Sequence, residues 1–268
     1  MAYATGVAAD HRDLLVRFRA FVTGHPSLVA AGQAWQELRW VEQATTQELI
    51  LKAPGLSGTD EIYAGLYSQE TAASDLYQWQ ALGYTGYLSG ANFTGQPGVS
   101  SAHYLSLWNS PMTYWLVANG RRAILAVKVS SRYMLMHLGF LTPYATPAQF
   151  PYPFFVSGTD SYYFGGRRWS EVSTIWNCQM RNLAGVWATP SRYPAGQTYK
   201  HSPGDIYPLT SLVLYDATAI YGEIDGLYHV SGFGNAAENL ITVGGVNHLV
   251  LQDVASTGIG NYVALRLQ

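Results

Sequence analysis

Two carboxylates stand two residues apart in YGEIDGLY, at Glu223 and Asp225. On a strand, residues i and i+2 share a face, and a facing carboxyl pair is what glycoside hydrolysis requires. Asp225-Gly226 is also a common turn dipeptide, which accounts for Asp225 without chemistry. The histidines are His11, His25, His103, His137, His201, His229 and His248, and none forms the i, i+4 helical pair of a zinc enzyme. His229 and His248 approach each other only if their strands pair. Two imidazoles still fall short of the three or four ligands of a zinc site. The run GFGNAA (232–237) matches the G-x-G-x-x-A dinucleotide pattern after an apolar stretch, with Asp253 further on. That motif must open a helix, but NAAENLITV passes into a β-like run, so a glycine-supported bend between strands is expected. The sequence holds no G-x-S-x-G, Walker A or H-E-x-x-H motif. Its single cysteine, Cys178, excludes an intramolecular disulfide and is expected to be a small buried apolar residue. No catalytic residue, metal ligand or cofactor is assigned, and the chain is expected not to be an enzyme.

What remains is contact chemistry. Charged residues make up 12% of the 268 residues and aromatics 14%, against about 25% charged residues in ordinary domains. Interface cores are depleted in charge and enriched in Tyr, Trp, Phe and Arg. The alternative is an aromatic-rich β protein whose surface is covered by uncharged polar side chains. The net charge of −2 argues against nucleic-acid binding, which leaves a basic stripe. Arg121-Arg122 and Arg167-Arg168 each follow a turn-like glycine. These four, with Tyr144, Tyr152, Phe154, Phe155, Trp169, Tyr193 and Tyr199, are the candidate interface residues. Exposed Trp and Tyr could also stack on sugars, so a carbohydrate-binding or glycan-cleaving module is the alternative class.

These residues need rigid elements behind them. Asp10 is placed to cap a helix that buries Leu14, Leu15, Phe18, Phe21 and Val22 and stops at Gly24 and Pro26, with a short turn at 27–31. Beyond it the period changes to two. WQELRWV (35–41) with ELILKA (48–53), and 60–67 with 75–84, read as strand pairs. A loop covers 89–102, and 103–109 resumes the β pattern. Residues 114–118 and 123–129 flank Asn119-Gly120, which predicts a type I′ hairpin that presents its arginines to a neighbour. A strand at 133–141 precedes the prolines 143, 147, 151 and 153, which place that stretch at a sheet edge or across the surface. The region 189–208 reads as a second contact arm. Strands follow at 211–216, 221–224, 227–232 and 261–267, and Gly244-Gly245 joins LITV to VNHLVLQD in another two-residue hairpin. The expected fold is mainly β with a short N-terminal helix: antiparallel sheets in a β-sandwich or barrel-like body. Residues 1–200 would form the main part and 205–268 a C-terminal hairpin region packed on it. The opening MAYATGVAADHRD lacks the pattern of a secretory signal, and no apolar run is long enough to span a bilayer.

Three stretches carry a resemblance when taken together: YWLVANGRRAILAVKVS, LGFLTPYATPAQFPYPFFVSG, and GEIDGLYHVSGFGNAAENLITVGGVNHLVLQDV with NYVALRL. Together they resemble a group of virion structural proteins of tailed bacteriophages, found among tail, neck and baseplate components. The resemblance spans about residues 55 to 268 and is weakest over 160–205. It implies a virion location, a symmetric homo-oligomer, most simply a ring, and docking to other phage proteins. It carries no catalytic residue. A capsid decoration protein is a further alternative.

Overall fold

The computed structural model describes residues 1–55, 61–144, 154–157, 178–193 and 208–267. In chain order the elements are β1 (Ala2–Ala8), α1 (His11–Gly24), α2 (Pro26–Ala30), β2 (Gln36–Glu42), β3 (Thr46–Ala53), β4 (Ile62–Thr71), β5 (Leu76–Tyr84) and β6 (His103–Ser106). Then come β7 (Met112–Ala118), β8 (Arg122–Val129), β9 (Arg132–Phe140), β10 (Thr142–Pro143), β11 (Phe154–Ser157), β12 (Cys178–Arg181), β13 (Trp187–Ala188) and β14 (Ser191–Arg192). The last five are β15 (Thr210–Tyr215), β16 (Ile220–Val230), β17 (Leu240–Val243), β18 (Val246–Gln252) and β19 (Tyr262–Arg266).

The strands form three antiparallel sheets. The first runs β2-β3-β4-β5-β6, the central one β1-β7-β8-β9-β11-β12-β13, and the third β14-β15-β16-β19-β18-β17, with β10 also on β16. Each is an open sheet, so among the described residues the sandwich expectation holds and the barrel-like one does not. The central sheet is buried on both faces. Leu116, Leu125, Val127, Met134, Met136 and Leu138 face a core shared with the first sheet and α1. Val117, Ile124, Ala126 and Leu135 face a second core, shared with Leu212, Leu214, Ile224, Leu249, Val263 and Leu265 of the third sheet. This explains why YWLVA and AILAV show no apolar/polar alternation: neither face of those strands meets water.

Local signals explain most of the remainder. The Asp10 carboxylate accepts from the Arg12 and Asp13 backbone N–H groups, and Leu14, Leu15, Phe18, Phe21 and Val22 are buried. On β4, Ile62, Ala64 and Leu66 point inward while Tyr63 and Tyr67 point outward. The loop between β5 and β6 folds over the outer face of the first sheet, where Phe93 packs with Ile50, Leu82 and Tyr84. Gly244 and Gly245 both adopt positive φ, 59° and 78°, and join Val243 to Val246 as the two-residue hairpin requires.

The structure adds one strand, corrects three expectations and resolves the conditional pairing of His229 with His248. First, Ala2–Ala8 is a strand paired along its whole length with β7. Second, the β7–β8 turn is not type I′. Ala118 pairs with Ala123, and neither Asn119 nor Gly120 enters the positive-φ region. The Asn119 side-chain carbonyl instead accepts from the Arg121 and Arg122 N–H groups, at 2.8 and 3.0 Å. Third, Asp225-Gly226 lies inside β16 rather than in a turn. Between the Val213–Glu223 and Ser211–Tyr228 pairs, β15 passes one residue while β16 passes four, a bulge that pushes Asp225 out of register. Fourth, Phe154 and Phe155 are not on a surface arm. They lie in β11, between β9 and β12, with Phe154 opposite Phe140 and Phe155 opposite Gly139 and Met180. Fifth, His229 on β16 and His248 on β18 are separated by β19, so their strands do not pair.

Candidate functional site

The paired arginines 121 and 122 turn inward. Asn119 O accepts from the Trp35 indole (2.8 Å), and Gly120 O accepts from the Gly55 N–H (2.9 Å), so the hairpin tip is covered by the segment flanking the first sheet. Arg122 is 1% exposed and its Nε lies 2.9 Å from Asp225 Oδ2. Gly226 (φ 85°) makes room for this pair, since a Cβ there would fall 2.5 Å from the guanidinium. Burial alone would raise the Asp225 pKa. Attraction by Arg122, Arg121 and His137 outweighs it and leaves the carboxyl below its usual range. Arg121 is half-buried and donates to Leu141 O (3.1 Å); burial pushes its guanidinium pKa down. The expectation that this hairpin presents Arg121 and Arg122 to a neighbour is therefore overturned: Arg122 bolts the central sheet to the third. The same geometry removes Asp225 as a glycosidase acid, a role that needs a raised pKa.

A different pattern recurs on the surface. Tyr63 donates to Glu61 Oε2 (2.5 Å), while Lys52 Nζ lies 2.5 Å from Glu61 Oε1 and 5.8 Å from the Tyr63 ring centre. Tyr133 donates to Glu238 Oε1 (2.6 Å), while Lys128 Nζ lies 2.5 Å from the same oxygen and 5.7 Å from the Tyr133 ring. In both units the lysine stands directly across the ladder from its tyrosine. The lysine is the leading cause that holds Glu61 and Glu238 below the usual carboxylate range. Two further phenol–carboxylate pairs join Tyr144 to Glu223 Oε1, at 2.8 Å, and Tyr221 to Asp216 Oδ2, at 2.6 Å. Burial, then the neighbouring carboxylate, push both Tyr133 and Tyr144 up to about 12. Tyr144 N–H donates to Tyr221 O across the ladder, where the Tyr63 and Tyr133 units have a lysine. Among the described residues no lysine or arginine stands within 4.0 Å of Glu223.

Of the other candidate contact residues, Tyr144 is 56% exposed and Tyr193 is 44% exposed, the latter stacked on Tyr215 with ring centres 4.4 Å apart. Tyr152, Arg167, Arg168, Trp169 and Tyr199 lie outside the described residues. Sequence reasoning did not single out the β17 edge. Leu240 is 63% exposed there, and the strand Leu-Ile-Thr-Val carries no charge. The β2 edge, by contrast, bears Glu37, Arg39 and Glu42, the usual protection of a free edge. The signal for β17 was the lack of any charged residue within the strand itself.

The remaining chemistry-bearing residues are dispersed. His11, His103, His137, His229 and His248 are buried, as is Cys178. Burial lowers the His11 pKa, partly offset by Asp10 and Glu70. Residues 232–237 form a bend between β16 and β17. Among the described residues no three His, Cys, Asp or Glu side chains gather to hold a metal ion, and no helix is long and apolar enough to cross a membrane. No family model matches the chain, and no curated protein matches it significantly.

Proposed function

We propose that this chain is a structural subunit of a tailed-bacteriophage virion, assembling as a symmetric ring in the tail, neck or baseplate and docking other virion proteins there. The observation that carries this reading is the uncharged β17 edge with its exposed Leu240. Free strand edges with apolar side chains pair readily with other chains. The low charge of the sequence and the resemblance of its middle and C-terminal stretches to phage virion proteins support the same reading. The function is mechanical: a double-faced central sheet sets a rigid geometry, and exposed edges and tips meet neighbours.

Imaging of intact particles tests it, with symmetric copies of this chain expected around the particle axis. Density for the chain on the capsid surface would favour a decoration protein instead. The exposed Tyr193–Tyr215 stack keeps one second reading, glycan binding during host attachment. Binding to a host-envelope glycan that is lost on Tyr193→Ala would establish that reading.

A further inference from the structure

The chain builds one three-part unit twice and its tyrosine and glutamate a third time. Lysine, glutamate and tyrosine meet at Lys52–Glu61–Tyr63 and at Lys128–Glu238–Tyr133. At Tyr144–Glu223 the phenol and the carboxylate are in place and, among the described residues, the cation is not. We propose that Arg132 of a second copy completes this third unit, joining copies head to tail. The inference rests on the assembly reading above and names one of its contacts.

Arg132 is the complementary half. It is exposed, sits beside the tight β8–β9 turn paired with Val129, and its side chain makes no hydrogen bond or ion pair among the described residues. Ser130 in that turn holds a left-handed φ of 56°, which fixes the tip. Most other described cations already hold a carboxylate of the same chain. Arg also suits the vacancy chemically. Its planar guanidinium pairs with a carboxylate and lies over an aromatic face at once.

Position decides that the donor is another copy. Arg132 opens β9 and Tyr144 directly follows β10. Along β9, Arg132 faces Val129 at one end of the β8–β9 pair and Gly139 faces Arg122 at the other, the end that leads into β10; at about 3.3 Å per residue the seven steps hold these ends roughly 23 Å apart. One chain cannot close the contact on itself. Two copies in head-to-tail order can, and a heterologous contact of that kind generates rings when its rotation closes. Apolar side chains lie on both sides of the join. Phe233 and Ile259 are exposed on loops tied together by Gly232 N–H to Ile259 O (2.7 Å) at the Arg132 end, and Ile220 is exposed at the other. The charged contact would then set register inside an otherwise apolar interface.

Sedimentation of the full chain over a range of concentrations and salt tests this. Association that weakens with salt is expected. Arg132→Glu and Glu223→Lys should each weaken it at least tenfold, and the combined exchange should restore it to within about threefold. Tyr144→Phe should weaken it less. All three substitutions are at exposed or half-exposed positions, and circular dichroism checks that each variant is folded. Unchanged association in both single variants overturns the contact while the assembly reading stands on another surface. A wild-type chain that is monomeric at every concentration also overturns the contact; its presence or absence in imaged particles then decides the assembly reading separately.

Discussion

Two hairpins that look alike as sequence behave differently in the fold. Asn119-Gly120 and Gly244-Gly245 are both favoured two-residue turn dipeptides. The second folds as its dipeptide dictates, with both glycines left-handed and no atom within 4 Å of where a Cβ would stand on either. The first does not. Its backbone carbonyls are taken by Trp35 and Gly55, its asparagine side chain caps two arginine amides, and its second arginine is drawn to Asp225 on another sheet. A turn dipeptide sets geometry where nothing tertiary competes for its hydrogen-bonding groups; where several partners converge, they set it.

The sharpest way to break this contrast is Arg122→Ala, which leaves a largely buried Asp225 carboxylate unpaired. Removing one partner of such a pair costs about 3–5 kcal/mol, to be read from urea denaturation. Replacing both partners by apolar residues should recover most of the loss. The same pair gives a pH signature. The Asp225 pKa is lowered in the folded chain, so its contribution is intact above the ordinary aspartate value near ~4 and is lost as pH falls through the lower folded value. An Asp225→Asn chain should lack that part of the acid slope.

Gly139→Ala comes next. Gly139 pairs with Arg122 at φ 142°, and a Cβ would lie 2.3 Å from Arg121 O, so a loss of about 2 kcal/mol is expected in thermal unfolding. Asn119→Ala removes the side-chain cap of the inner tip and should cost about 1 kcal/mol. Gly244→Asn at the outer tip should change stability by less than about 0.5 kcal/mol, because asparagine tolerates left-handed φ. Equal effects of these last two changes would erase the distinction between the tips.

The sequence made the first sheet and α1 legible because their amphipathic periods are clean: Ile62, Ala64 and Leu66 against Tyr63 and Tyr67, and Asp10 ahead of Leu14 and Phe18. The central strands were legible as strands. Their uninterrupted apolar runs also carried the news that both faces are covered. β1 was not legible, since Ala2, Ala4, Gly6 and Ala8 supply a small-residue face with little hydrophobic contrast. Asp225 was misread because its turn-like neighbour Gly226 serves a bulge, a distinction fixed only by the position of Arg122. Of the site, Tyr144 and Glu223 were each noticed for other reasons. They are 79 residues apart, and no local spacing encodes a meeting at that range.

The pairing of β1 with β7 also bears on how the chain is made. Tyr114, whose carbonyl receives the Thr5 hydroxyl, lies 109 residues downstream. At roughly 5–20 residues per second, a ribosome needs about 5–20 s to supply that partner. Throughout that interval Ala2–Ala8 can pack on α1 but has no strand of its own sheet to pair with. Until β7 is made, the backbone groups that Ala2–Ala8 will give to it must be satisfied by water or by another protein.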